Sequence, residues 1–236
     1  ASLVTETSIS PGDDLLDVGC GTGIVARTVR ERAGPAAKIV GADLDPGVLD
    51  VARRVAPDLA WHVASADALP FADGSFQIVL CQMALQYFPD RPAALREMRR
   101  VLRSGGRVGV GVCGPIERAP GFLAVSRGIE RLLGPEAAQL GPFALSDRET
   151  LGSLLRVAGF DRVEVRVARP TLRAQSPRAW VRILRDGAAS IRKTLARLTE
   201  EELESLTREV EGELAPHVGD GGLAFPVDYH IGLGWR

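Results

Sequence analysis

Residues 15–26 read Leu-Leu-Asp-Val-Gly-Cys-Gly-Thr-Gly-Ile-Val-Ala, and this stretch decides the fold because an apolar strand runs there through a glycine turn into a helix. The apolar residues before the turn predict a short buried strand over 15–18. Gly19, Gly21 and Gly23 let the backbone bend sharply and approach a ligand with no Cβ in the way. The helix that follows directs its free amide groups and the positive end of its dipole at the turn.

The spacing of the glycines indicates the kind of ligand. A dinucleotide-binding turn follows Gly-x-Gly-x-x-Gly, but Ile24 stands where the third glycine would be. A P-loop would end in Gly-Lys-Ser/Thr, and this turn does not. Asp17 stands two residues before the first glycine, where its carboxylate would repel a pyrophosphate and attract an ammonium or sulfonium group. The turn therefore favours a cationic, amino-acid-like cofactor over NAD.

Four segments, in the correct order, resemble the motifs of class I S-adenosylmethionine-dependent methyltransferases. They are the glycine turn at 17–23, Asp43 after the second predicted strand, residues 65–71, and residues 76–107. The last segment is similar to the small-molecule branch that includes the ubiquinone and menaquinone methyltransferases. The resemblance covers residues 12–112. It implies a methyltransferase with S-adenosylmethionine as cofactor.

The resemblance also implies which residues hold the cofactor. Asp17 would orient the ammonium group, Asp43 would accept hydrogen bonds from both ribose hydroxyls, and Asp67 would accept one from the adenine amine. Leu44 would pack on the adenine face, and the Ala68 amide would donate to a ring nitrogen. The full implied set of cofactor-binding residues is Asp17, Gly19, Cys20, Gly21, Asp43, Leu44, Asp67, Ala68 and Gln82.

The segment after the fourth strand would line the path of methyl transfer. Gln82 would contact the methionine end of the cofactor. Tyr87 and Phe88 would line the acceptor pocket, with packing under the next helix as the alternative. The sequence names no catalytic residue, since none of the three histidines, at positions 62, 217 and 230, shows a partner. A sulfonium methyl is already activated, so orientation alone can drive its transfer.

Strands and helices alternate along the chain, which predicts an α/β fold with a parallel sheet covered by helices on both faces. The resemblance implies a Rossmann-like, doubly wound sheet of seven mostly parallel strands with an antiparallel last strand. The predicted strands are 15–18, 38–42, 59–64, 76–81, 107–112, 163–167 and a final one over 225–235. The predicted helices are 24–33, 46–55, 92–102, 122–133, one opened by a capping box at Ser146-x-x-Glu149, 176–197 and 199–215.

We expect one methyltransferase domain over residues 1–236, with two helical insertions at 113–145 and 170–223. Both would leave the sheet on the cofactor face, so we interpret them as a cap that encloses the substrate. The helical hairpin over 176–215 would then govern acceptor recognition, with a dimer surface or padding as the alternative. The segment of residues 1–10 is short and polar. The substrate-covering helix that the resemblance implies before the first strand is therefore expected to be missing from this chain.

Composition restricts the partners. With 45% apolar and 25% charged residues, a net charge of −1 and a pI near 6.4, the chain has the character of a soluble protein without a broad basic surface. This disfavours nucleic acid as a partner. No apolar run is long enough to span a bilayer and no leader is visible, so we expect a cytoplasmic location. The resemblance to the small-molecule branch implies a small-molecule substrate. The three cysteines lack zinc-type spacing, so no metal site is expected.

Two other functions stay open. A methyltransferase-like binding or regulatory protein would keep the cofactor fold without turnover, although the three intact aspartates disfavour it. An NAD(P) oxidoreductase is disfavoured by Ile24 and by the lack of a Tyr-x-x-x-Lys pair. No Asn/Asp-Pro-Pro-Tyr segment follows the fourth strand, which disfavours methylation of a nucleobase amine. Oxygen, nitrogen and activated carbon all remain as acceptor atoms.

Overall fold

A computed structural model describes residues 2–187 and 189–236, which fall into two compact units. The first unit comprises the chain up to Val112, together with Asp147–Ala168 and His230–Arg236. The second unit comprises Cys113–Ser146 and Arg169–Tyr229. The two segments that we expected as insertions, 113–145 and 170–223, lie in this second unit.

In chain order the strands are β1 Leu15–Val18, β2 Ile39–Asp43, β3 Ala60–Val63, β4 Phe76–Gln82, β5 Leu102–Cys113, β6 Arg162–Ala168, β7 Thr171–Ala174, β8 Val218–Gly219, β9 Gly222–Pro226 and β10 Tyr229–Trp235. The helices are α1 Ser2–Glu6, α2 Ile24–Ala33, α3 Pro46–Val55, α4 Arg91–Val101, α5 Pro120–Leu133, α6 Arg148–Val157, α7 Pro177–Gly187, α8 Ala189–Leu195 and α9 Glu200–Leu214.

The first unit is built on a seven-stranded sheet in the order β3-β2-β1-β4-β5-β10-β6, with one antiparallel strand. This confirms the predicted fold class. All four residues of β1 are buried, as expected for a central parallel strand. On one face, Leu15, Ile39 and Leu80 pack in one core with Val29 of α2. The sheet therefore presents the carboxyl ends of β1, β2 and β4 along one edge.

The second unit has its own apolar core, formed largely by α5, α7 and α9. Trp180 of α7 is central, because its Nε1 donates to the Gly121 carbonyl over 2.9 Å. Its ring makes edge-to-face contacts with Phe122 and Phe225 at centroid distances of 4.9 and 5.1 Å. Strands β7, β9 and β8 form a small three-stranded sheet in this unit.

The structure corrects several predicted elements at the chain's start and in its second half. A helix, α1, precedes β1 where we expected none, because Leu3 and Val4 bury themselves in the core of the first unit. Asp147, not Ser146, caps α6, since its carboxylate accepts the Thr150 amide over 2.7 Å. Thr199 does cap α9 with the predicted capping box.

The long strand predicted over 225–235 is wrong, because it is two strands. Phe225 belongs to β9 and pairs with Leu172 of β7, whereas β10 starts at Tyr229 and joins the main sheet. Pro226 is the last residue of β9, and the Val227 amide still donates to the Pro170 carbonyl over 3.0 Å, so the change of sheet falls between Val227 and Tyr229. The helix predicted over 176–197 is divided into α7 and α8, and Ala188 between them lies outside the described residues.

Candidate cofactor site

The glycine turn after β1 is fixed to the end of β2. The Gly19 and Cys20 amides both donate to the Ala42 carbonyl, over 2.8 and 3.1 Å, and the Gly21 amide donates to Oδ2 of Asp43 over 2.8 Å. Gly19, Gly21 and Gly23 have φ angles of 69°, 53° and 79°. Side chains rarely tolerate such angles, so the turn requires its glycines.

One residue of this turn, Gly21, has open space where a side chain would lie. A Cβ on Gly21 would meet no atom within 4 Å, whereas a Cβ on Gly19 would lie 2.4 Å from the Cβ of Ala84. The amides of Gly19, Cys20 and Gly21 are already engaged by protein acceptors. The turn is therefore poorly suited to a phosphate, which needs free amides, and better suited to a ligand that can approach carbonyl oxygens.

Asp17 lies next to this turn with its carboxylate buried. The residue is 1% exposed, and neither carboxylate oxygen makes a hydrogen bond of ordinary geometry within the described part of the chain. Burial raises the pKa of Asp17 to about 7; the nearby Ala26 amide lowers it and the charge of Asp43 raises it further. An orphaned buried carboxylate beside a glycine turn fits a cationic group, such as the ammonium group of S-adenosylmethionine.

Asp43 is the last residue of β2, and Leu44 follows it at the same edge of the sheet. Oδ1 of Asp43 accepts the Asp45 amide over 3.0 Å while Oδ2 accepts the Gly21 amide. Each oxygen keeps a further lone pair, which is the capacity that two ribose hydroxyls require. Leu44 is 69% exposed, so its side chain is accessible to an adenine ring.

Asp67 and Ala68 lie in an exposed turn after β3. The Ser65 hydroxyl donates to Oδ1 of Asp67 and so holds its carboxylate. The Ala68 amide donates to the Ser65 carbonyl over 3.2 Å, so in this structure it is directed at the protein and not at a ring nitrogen. Asp67 remains a candidate for the adenine amine, with Ser65 as its support.

The segment after β4 lies close to the glycine turn. A Cβ on Gly19 would lie 3.5 Å from Cζ of Phe88, so this ring borders the turn. A Cβ on Gly111 would lie 2.7 Å from Oε1 of Gln82, so the Gln82 amide group packs against the β5 backbone at Gly111. Tyr87 is 49% exposed. Tyr87 and Phe88 are thus partly accessible and not core residues.

Sequence reasoning missed three residues around this edge. Gln86 is 3% exposed, and neither atom of its amide group has a hydrogen-bond partner among the described residues. Ser65 orients Asp67, and Trp61 packs beneath the glycine turn. Only Ser65 had a signal in the sequence, because a serine two residues before an aspartate favours such a local hydrogen bond.

The cysteines are free and buried. Burial, with the charge of Asp17, raises the pKa of Cys20 far above its usual range and that of Cys81 to about 12, so neither is a ready nucleophile. Among the described residues no group of metal-ligating side chains comes together. Within the same part of the chain, no helix combines the length and apolarity needed to cross a membrane.

Comparison with known proteins agrees with this geometry. Residues 16–110 match the family model described as a methyltransferase domain. Nocamycin O-methyltransferase of Saccharothrix syringae is 30% identical over 244 residues, which cover 94% of this chain and 85% of that protein. A ubiquinone/menaquinone biosynthesis C-methyltransferase of Xanthomonas oryzae pv. oryzae is 38% identical over 114 residues, which cover 46% of this chain and 45% of that protein.

The fold is also similar to that of a solved methyltransferase. Phosphoethanolamine N-methyltransferase 2 of Haemonchus contortus, solved with S-adenosylmethionine, superposes with a TM-score of 0.60 at 19% identity, covering 100% of this chain and 51% of that one. At this identity the likeness shows the fold alone. The identity to the O-methyltransferase extends along most of both chains, and it therefore shows the family as well as the fold. This chain belongs to the class I S-adenosylmethionine-dependent methyltransferases, resembles their small-molecule branch, and is an enzyme with S-adenosylmethionine as cofactor.

Proposed function

We propose that the enzyme transfers the methyl group of S-adenosylmethionine to an oxygen atom of a small organic acceptor, by direct in-line displacement. The extent of the matches carries this proposal. The match to an O-methyltransferase extends over 94% of the chain, whereas the match to a C-methyltransferase covers 46%. Acceptor specificity in such folds resides in the variable segments and not in the shared sheet. The oxygen acceptor is therefore the better supported choice.

The candidate site supplies orientation. When bound, S-adenosylmethionine provides a sulfonium methyl group that is already activated for transfer. Asp17 would hold the ammonium group, and Asp43 would hold the ribose while its Oδ2 keeps the Gly21 amide in place. Gln82 and Phe88 would border the path of the methyl group. Orientation of this kind can lower the activation barrier by about 7 to 11 kcal/mol.

The acceptor's own acidity would decide whether the enzyme needs a base. An enol, a phenol or a carboxylic acid loses its proton near neutral pH far more readily than an alkyl alcohol, so its oxygen can attack with little assistance. The proposed site commits the Asp17 and Asp43 carboxylates to the cofactor, so we infer that the acceptor oxygen is acidic enough to attack without a base. We further propose that residues 113–145 and 170–223 form a cap that binds this acceptor.

A panel of acceptors tests the proposal. The protein is incubated with S-adenosylmethionine and enols, phenols, carboxylic acids, amines and activated carbon acids, and S-adenosylhomocysteine is measured together with the mass of each product. We expect methyl esters or ethers from the acidic hydroxyls. Methylation of nitrogen or carbon alone would contradict the acceptor assignment. Tight cofactor binding with no product from any class would favour the catalytically silent binding protein.

A further inference from the structure

Trp61 lies beneath the glycine turn, in a row of residues that crosses the sheet. In the parallel register, Trp61 of β3 is opposite Gly41 of β2, and Gly41 is opposite Asp17 of β1. A Cβ on Gly41 would lie 2.4 Å from both Cε3 and Cζ3 of Trp61. The indole therefore lies across Gly41, in the space that a side chain there would need.

The same ring reaches the turn itself. A Cβ on Gly23 would lie 2.3 Å from Cη2 of Trp61, so the benzo edge of the indole is in direct contact with the last glycine of the turn. Sγ of Cys20 occupies the remaining space over Gly41, since a Cβ there would lie 2.9 Å from it. The indole thus contacts the last glycine of the turn, and both the indole and the Cys20 thiol lie over Gly41.

The other end of the indole is fixed to the protein. Nε1 of Trp61 donates to the carbonyl of Ala56, the residue that ends α3, over 3.0 Å. The ring therefore connects the end of α3 with the start of α2 and crosses β2 between them. Because the hydrogen bond sets the orientation of the ring, the position of its far edge against Gly23 is set as well.

We propose that Trp61 is a positioning residue for the cofactor, whose indole, held between the Ala56 carbonyl and Gly23, keeps the glycine turn in the conformation that receives the amino-acid end of S-adenosylmethionine. This inference rests on the proposed placement of the cofactor at the turn. Trp61 acts through Gly23 and does not itself touch the ligand. Sites of this kind depend on support that holds the contacting groups to within about 0.5 Å.

Phe160 provides a matched control. Its ring covers Gly234 of β10 as Trp61 covers Gly41, because a Cβ on Gly234 would lie 2.8 Å from Cγ of Phe160. Phe160 lies just before β6, at the amino end of that parallel strand. The glycine turn lies at the opposite, carboxyl ends of the parallel strands. Replacing either ring by leucine removes an aromatic contact with a strand glycine, but only one of the two replacements affects the turn.

The experiment compares Trp61→Leu, Trp61→Phe and Phe160→Leu by melting temperature and by calorimetric titration with S-adenosylhomocysteine. We expect both leucine variants to melt earlier, and only Trp61→Leu to lose affinity, by about tenfold or more. Trp61→Phe keeps a ring over Gly41 and should recover part of that loss.

An unchanged affinity in Trp61→Leu or an equal loss in Phe160→Leu would each overturn the role of Trp61. Asp43→Ala, titrated in parallel, separates this outcome from a failure of the proposed site. If Asp43→Ala binds as the wild type does, the cofactor does not occupy this edge. If it loses affinity while Trp61→Leu does not, only the role of Trp61 falls.

Discussion

The Gly21 amide donates to Oδ2 of Asp43 over 2.8 Å, so the glycine turn after β1 and the end of β2 hold each other in place. One carboxylate thus has two tasks. It fixes the conformation of the turn, and its remaining lone pairs are the acceptors that we propose for the ribose hydroxyls. A substitution at Asp43 removes both effects together.

Asp43→Ala should weaken binding of S-adenosylhomocysteine by about 1.5 to 3 kcal/mol, the usual worth of hydrogen bonds to a charged group. Calorimetry gives the affinity, and a thermal melt shows whether the fold persists. Asp50→Ala is the control, because this exposed aspartate on α3 pairs only with Arg53 among the contacts seen and lies away from the turn. Equal affinities for Asp43→Ala and wild type would remove Asp43 from the site.

Asp17 predicts a pH dependence with a definite sign. Its pKa of about 7 in the folded protein lies above the ordinary value of 3.8, chiefly because of burial. Without cofactor, the stability that this group contributes is fully present below the ordinary pKa and is lost as the pH rises through about 7. A cationic ligand favours the ionised form, so cofactor affinity should rise with pH over the same window.

Proton release provides the measurement. Calorimetric titration in buffers of different ionisation enthalpy should detect a proton leaving the protein on binding below about pH 7 and none well above it. Asp17→Asn should abolish both the proton release and the pH dependence. Asp43, Cys20 and Cys81 also face Asp17, but the two thiols stay protonated over this window because their pKa values are raised. Proton release that persists in Asp17→Asn would assign the titration elsewhere.

Gly21→Ala should damage binding more than folding. The positive φ of Gly21 costs an alanine about 1 to 2 kcal/mol, but its Cβ would point into open space where the ligand is proposed to lie. Gly12→Ala is matched, since Gly12 has a φ of 86° and nothing within 4 Å of a Cβ, and it lies before β1. Both variants should melt earlier by similar amounts. Retention of full cofactor affinity by Gly21→Ala would contradict the site.

Trp180→Ala tests the acceptor role of the second unit. Removing this buried ring should destabilise that unit by about 3 to 5 kcal/mol and should abolish turnover. Cofactor affinity should change by less than about 1 kcal/mol, because the residues proposed to bind the cofactor all belong to the first unit. Turnover equal to that of the wild type would argue that the second unit is an assembly surface, which sedimentation of the two proteins would then reveal.

A single substitution is preferable to deleting the hairpin over 176–215. Gly128 of α5 packs against Leu206 of α9, and both helices contribute to one core with Val125 and Val210. Removing α9 would therefore expose the apolar face of α5. The sequence alone suggested a hairpin that could be replaced by a linker, because the pairing of α9 with the earlier segment 113–146 leaves no local pattern.

Local signals explain what the sequence could predict. The predicted bounds of β1, α2 and α3 match the structure, because each is marked by an apolar run, a glycine or an Asp-Pro start. The edge of the sheet that carries Asp17, Asp43 and Gln82 follows from strand order, since parallel strands end together.

The remainder depends on contacts between distant residues. Gly41 reads as an ordinary strand residue, and only the pairing of β2 with β3 shows that it makes room for Trp61. Gln86 shows no pattern in sequence, because its burial comes from the packing around it. The period-two pattern over 225–235 is continuous in the sequence, although β9 ends at Pro226 and β10 starts at Tyr229 in a different sheet.

The position of β10 determines the order in which the enzyme can be completed during synthesis. This strand is the last of the sheet in the chain but lies between β5 and β6, so β6 has no neighbour in the sheet until residues 229–235 have left the ribosome. The second unit also ends at Tyr229. The strands that carry the proposed cofactor residues can pair much earlier. A nascent chain should therefore acquire the edge proposed for the cofactor well before the unit proposed to bind the acceptor is complete.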